Sequence, residues 1–107
     1  MPYIADALYA IGGKWKLPII IGLSEGNRRF NELQRTVEGI SAKVLSNELK
    51  DLELNGFIKR IVYSGIPVAV EYELTEYSET LKDVVSSLSE WGRMHRKNIM
   101  KDLLKTE

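Results

Sequence analysis

Ser41-Ala42-Lys43-Val44-Leu45-Ser46-Asn47-Glu48-Leu49-Lys50-Asp51-Leu52-Glu53-Leu54 is the stretch whose pattern settles the architecture. Ser41 is a favoured helix N-cap, because its hydroxyl accepts from an early backbone N–H. Val44, Leu45, Leu49 and Leu52 recur at helical spacing and predict an apolar face. Lys43, Ser46, Asn47 and Lys50 then fall on the opposite side, at i, i+3, i+4 and i+7. Two cations, a hydroxyl and a carboxamide on one helix face are usually only a solvated surface. The flanking sequence changes that reading.

Downstream, Asn55-Gly56 tolerates the left-handed backbone that ends a helix. Phe57–Tyr63 is rich in β-branched and aromatic residues and predicts a strand. Ser64-Gly65-Ile66-Pro67 is a turn. Val68–Leu74 alternates, with Val68, Val70, Tyr72 and Leu74 on one face and Ala69, Glu71 and Glu73 on the other. The two runs predict an antiparallel hairpin. Upstream, Phe30, Leu33 and Val37 mark a short helix that Glu38-Gly39 breaks. Short helix, turn, capped helix and hairpin in that order make a winged helix-turn-helix. The expected fold class is therefore α+β, mainly α. It is expected as one domain over residues 1–107, with 28–74 forming the helix-turn-helix and wing.

Further outward, Tyr3–Ile11 reads as a short helix with Ile4, Leu8 and Ile11 on one side. Gly12-Gly13 ends it. Lys14–Leu23 reads as a second helix with Pro18 near its first turn, where a missing N–H costs least. Ser24-Glu25-Gly26-Asn27 is a turn. After the hairpin, Thr75 is expected to cap one long helix from Glu76 to about Leu104. Glu76 and Glu79 suit its first turn through the helix dipole. Leu81, Val84, Val85, Leu88, Trp91, Ile99 and Leu103 form its apolar stripe.

That stripe runs beyond what so small a core can cover, and an exposed apolar stripe implies a partner. Residues 1–24 and 76–105 are thus expected to be dimerisation helices. The expected interface residues are Tyr3, Ile4, Leu8, Leu81, Val84, Val85, Leu88, Trp91, His95 and Ile99. A twofold dimer would set two capped helices about one DNA turn apart, roughly 34 Å, on a pseudo-palindromic operator.

The helix opening at Ser41 offers groups that suit a major groove. Lysine reaches phosphate or guanine, asparagine reads adenine, and serine serves either base or phosphate. The candidate DNA-binding residues are Arg28, Arg29, Ser41, Lys43, Ser46, Asn47, Lys50, Lys59, Arg60 and Ser64. The wing tip, Ser64-Gly65-Ile66-Pro67-Val68-Ala69, carries no charge, so its backbone contacts would come from Tyr63, Ser64 and main-chain N–H groups. The formal net charge of the whole chain is zero. A DNA surface must then arise from sorting charges onto faces rather than from bulk basicity. Zero net charge also keeps a second reading open, a winged-helix module that binds protein and not DNA. A third adds a small effector between the terminal helices, near Tyr9, Trp15 and Trp91.

Other classes fare poorly. At 44% hydrophobic and 28% charged the chain is an ordinary globular one. It has no cysteine, which removes disulfides, zinc-thiolate sites and thiol nucleophiles, and fits a cytoplasmic setting. Asp6 interrupts any secretory signal. The longest apolar run, Leu17–Leu23, is far below the roughly 20 residues of a membrane span. Gly12-Gly13-Lys14 resembles the end of a phosphate loop, but Trp15 follows where Ser or Thr is needed. The sole histidine, His95, sits among Arg93, Arg96 and Lys97 and reads as a surface or interface residue, not a general base. No catalytic residue, metal site or cofactor is expected.

Several segments together resemble the HxlR-type family of bacterial winged-helix regulators, relatives of the MarR group. They are Ile11-Gly12-Gly13-Lys14-Trp15-Lys16, Arg29-Phe30-Asn31-Glu32-Leu33, Gly39–Ser46, Leu49-Lys50-Asp51-Leu52-Glu53, Val70-Glu71-Tyr72-Glu73-Leu74-Thr75 and Glu90-Trp91-Gly92. The resemblance implies dimers built from the first and last helices, control of nearby genes, and a recognition helix beginning at Ser41. Some relatives sense oxidants, electrophiles or aldehydes through a cysteine just before the proline that matches Pro2. Here that position is Met1, so thiol sensing is not implied. Relatives often carry a basic residue near the wing tip where this chain has Ala69.

Overall fold

The computed structural model describes residues 2–105. Met1, the position matching the relatives' sensing cysteine, lies outside them. The elements run α1 (Pro2–Ile11), α2 (Lys16–Leu23), α3 (Phe30–Thr36), α4 (Ala42–Leu54), β1 (Ile58–Tyr63), β2 (Ala69–Leu74), a 3-10 turn (Glu76–Leu81) and α5 (Lys82–Lys105). This is a winged helix-turn-helix, mainly helical, with one two-stranded antiparallel sheet.

The core gathers where α2, α3, α4 and the base of the hairpin meet. Ile19, Leu33, Leu45, Leu49, Leu52 and Ile58 are its fully buried side chains. Ile11, Ile20, Leu23, Val37, Ile40, Phe57 and Leu81 complete it. Burying each such side chain contributes about 1.5–3 kcal/mol. The core therefore fixes which face of α4 points inward.

Both ends of α4 are closed by local chemistry. The Ser41 hydroxyl accepts from the Val44 N–H at 3.2 Å. At the other end, the Phe57 N–H donates to the Leu52 carbonyl at 3.0 Å and the Gly56 N–H to that of Glu53 at 3.1 Å. Gly56 sits at φ +82°, which only glycine adopts at no cost. This pair of bonds, with buried Leu52 and Phe57, is a Schellman stop. It turns the chain straight into the wing.

The hairpin pairs Ile58 with Leu74 through to Tyr63 with Ala69. β2 also bridges to Arg28 on its other edge. The Tyr72 N–H donates to the Arg28 carbonyl at 2.7 Å, and the Arg28 N–H to that of Tyr72 at 3.2 Å. The loop before α3 is thereby tied to the wing.

Two sequence expectations need correction here. The second helix begins at Lys16, not Lys14, because Gly13 at φ +90° reverses the chain. The last helix is not continuous from Glu76, and Thr75 does not cap it. The Thr75 hydroxyl instead donates to the Gly56 carbonyl at 2.5 Å, clamping the hairpin base to the end of α4. The hydroxyls of Ser78 and Thr80 donate to carbonyls three residues back, at 2.5 and 2.7 Å, beside the tight 3-10 turn. The α-helix starts at Lys82.

From there α5 leaves the core. It spans 24 residues, about 36 Å of helix. The chain's radius of gyration is 16.8 Å, against about 13 Å for a compact chain of this length.

Candidate nucleic-acid interface

On α4 the inward side is filled by Leu45, Leu49 and Leu52, with Val44 partly buried beside them. Lys43, Asn47 and Lys50 are exposed on the outer side, and Ser46 is half-buried between them and the wing. Neither Lys43 nor Lys50 forms an ion pair with a described residue. Leu54, 85% exposed, ends this outer row. Sequence reasoning had not singled it out.

α4 also carries three carboxylates, Glu48, Asp51 and Glu53, whose charge opposes a DNA-facing role. All three turn to the flanks, where cations meet them. Lys16 Nζ, on α2, donates to Glu48 Oε2 at 2.9 Å and lies 3.5 Å from Asp51 Oδ2. On the other flank, Arg60 Nε of β1 lies 3.8 Å from Glu53 Oε1. The outer face between the flanks keeps only the two lysines as charges. The Lys16 side chain is just 12% exposed. Burial draws its pKa down, but the Glu48 hydrogen bond and the charges of Glu48 and Asp51 together outweigh this and leave it raised.

The wing separates two residues that sequence reasoning had grouped. Lys59 and Arg60 are adjacent on a strand and so project to opposite faces. Arg60 stands across from Tyr72, and with Ser46, Lys50 and Glu53 these residues line a cleft of about 230 Å³ between α4 and the hairpin. Lys59 stands across from Glu73, on the face that also holds Glu71. There the Tyr63 hydroxyl donates to Glu71 at 3.1 Å. That bond and the Glu71 charge raise the tyrosine's pKa. The Lys59 face is thus acidic, whereas the Arg60 face continues the surface of α4. Ser64 is exposed at the tip.

Arg29 is exposed at the start of α3, and its backbone N–H donates to the Glu32 carboxylate at 2.9 Å. Arg29, Asn31, Glu32 and Arg35 line one shallow cleft. Arg28 is engaged within the fold. Its guanidinium donates to the Gly22 carbonyl at 2.8 Å and to Glu25 at 3.1 Å, holding α2 to the loop before α3. A guanidinium so engaged is a structural tie between α2 and that loop. Lys16, by contrast, was missed. Its one sequence signal is a cation in the first turn of a helix, where the dipole disfavours it.

The terminal helices carry a second surface. Tyr3, Ile4 and Leu8 on α1 are exposed, as are Val84, Leu88, Trp91 and Ile99 on α5. His95 stacks on Trp91, ring centroids 4.8 Å apart. Met94, Met100 and Leu104 are also exposed, and the helical stripe in the sequence had not included them. Leu81 departs from expectation. It is buried in the core, because the 3-10 turn points it inward, and Val85 packs partly against the same core. Trp15 packs on the core under Lys14, whose ammonium lies 4.7 Å from the ring centroid. Tyr9 and Trp91 are exposed. No described helix is long and apolar enough to cross a membrane.

A capped helix beside a β-hairpin is the winged helix-turn-helix arrangement, and comparison with known proteins makes the chain a transcriptional regulator with a helix-turn-helix DNA-binding domain. The chain belongs to the HxlR-like helix-turn-helix family, whose model matches residues 10–100. It is 42% identical over 99 residues to the uncharacterized HTH-type transcriptional regulator YtcD of Bacillus subtilis (strain 168), covering 92% of this chain and 79% of that protein. A solved structure of an HTH-type regulator YtcD superposes with a TM-score of 0.86 at 41% identity, covering 91% of this chain and 99% of that one. The redox regulator HypR in its reduced form superposes at 0.85 with 36% identity, covering 92% and 98%. MarR-family regulators are also among the structural neighbours. The family consists of regulators, not enzymes.

Proposed function

We propose that the chain is a cytoplasmic homodimer that binds double-stranded DNA in a sequence-specific manner and so regulates transcription. In this reading α4 enters a major groove. Lys43 and Lys50 meet phosphates or guanine, and Asn47 and Ser46 meet base edges. Arg29 and Arg60 hold flanking phosphates, with Ser64 at the wing tip and the Ser41 end of α4 against the backbone. Lys59 contributes less, because Glu71 and Glu73 share its face. The terminal helices of two subunits pair through Ile4, Leu8, Val84, Leu88, Trp91 and Ile99. That pairing covers apolar surface which the single chain leaves bare.

One observation carries the reading. The outer face of α4 keeps its lysines while its three carboxylates lie on the flanks, Glu48 and Asp51 sharing Lys16 and Glu53 beside Arg60. This supports DNA binding by a chain whose net charge is zero, since the charges are sorted by face.

The test is protection mapping on the DNA upstream of the protein's own gene. Two protected half-sites about one helical turn apart are expected. A folded dimer that shifts no such DNA at low salt would favour the protein-binding module instead.

A further inference from the structure

We propose that Lys16 is a positioning residue for DNA recognition, acting through Glu48 and Asp51 on the flank of α4 and touching no DNA itself. The proposal rests on the reading that α4 enters the groove, and it names a residue of a different helix on which that entry depends.

Three observations converge. Lys16 is placed where a helix dipole works against it, in the first turn of α2. Its side chain is nearly covered, and its ammonium lies within 4 Å of two carboxylates of α4. Glu48 is itself largely covered, its side chain 20% exposed, so without Lys16 it would keep a partly buried charge with no described cation beside it. Glu48 and Asp51 are one turn apart on the side of α4 toward α2, and Asn47 and Lys50 directly precede them. Lys16 thus halves the negative charge of this pair, which would otherwise oppose phosphates alongside Lys43 and Lys50. It also fixes the roll of α4 about its own axis. The leucine face resists rolling on the inside, and this pair resists it at the flank.

The test is a salt-dependent titration of the protected DNA fragment by fluorescence anisotropy, using the full chain. The variants are Lys16→Gln, Lys16→Arg, Glu48→Gln and the double Lys16→Gln/Glu48→Gln, with Lys43→Ala as a control for direct contact. Circular dichroism checks that each is folded. Lys16→Gln is expected to weaken binding about fivefold, the size of one partly buried pair. Its dependence on log salt should stay as in the wild type, because no phosphate contact is lost. The double variant should regain affinity to within about twofold of wild type, and Lys16→Arg should retain it. Lys43→Ala should lower the salt slope by about one. Wild-type affinity in Lys16→Gln, beside a weakened Lys43→Ala, overturns the proposal. So does a salt slope that falls in Lys16→Gln without rescue by Glu48→Gln, since Lys16 would then touch phosphate directly. Failure of the wild type itself to bind overturns the DNA reading and this inference with it.

Discussion

α4 and α5 are built on the same helical period, and their apolar residues meet different fates. In α4, Leu45, Leu49 and Leu52 are covered by the chain's own helices and hairpin, and what remains outside is mostly polar, Leu54 at its end excepted. In α5, Val84, Leu88, Trp91, Ile99 and the methionines lie open along a helix that has left the core. The first pattern is complete within one chain. The second leaves apolar surface bare in the single chain. An amphipathic pattern alone therefore does not say which face does the work. In the function proposed above it is, in α4, the face opposite the leucines, and in α5 the apolar face itself.

Substitutions on the two helices should separate accordingly. The largest effect belongs to the interior of α4. Leu49→Ala should destabilise the fold by about 2–5 kcal/mol in urea unfolding, because a fully packed site leaves a cavity. A loss under 1 kcal/mol would contradict the packing described. On α5, Trp91→Ala should instead weaken self-association by about 2 kcal/mol, roughly thirtyfold. Sedimentation across a concentration series checks this, and unchanged association would place the dimer contact elsewhere.

On the outer face of α4, Asn47→Ala should reduce discrimination between operator and random DNA by about 1–3 kcal/mol. Its non-specific affinity should be preserved. Competition binding at fixed salt reads both quantities, and equal losses on the two DNAs would remove Asn47 from base recognition. At the helix end, Ser41→Ala should cost about 1 kcal/mol of stability by thermal unfolding, through loss of the cap on Val44. Smallest of all, Glu53→Gln should change stability by under 1 kcal/mol, since its 3.8 Å contact with Arg60 is largely exposed.

Much of this division was legible in the sequence. Ser41 as cap, the inward leucines, the stop at Asn55-Gly56 and the antiparallel hairpin follow from local chemistry, because caps, left-handed glycines and strand alternation act over a few residues. Other features depend on contacts and turns that spacing alone does not show. Arg28 reads as a free cation in the sequence, whereas its guanidinium donates to the Gly22 carbonyl. Thr75 had the composition of a cap, but the Gly56 carbonyl claims its hydroxyl. Leu81 fitted the α5 stripe by spacing, yet the 3-10 turn changes the angle per residue and directs it into the core. Lys16 and its two carboxylates are more than thirty positions apart, so no short-range pattern joins them.

The central claim is electrostatic: a chain of zero net charge presents a cationic reading face because its carboxylates are held to the side. The most direct test measures operator affinity against salt for the wild type and for Lys43→Ala/Lys50→Ala, each shown to be a folded dimer. The account predicts a steep salt dependence in the wild type, and a slope lower by about one for each phosphate contact removed. Indistinguishable slopes and affinities in the two proteins would contradict it.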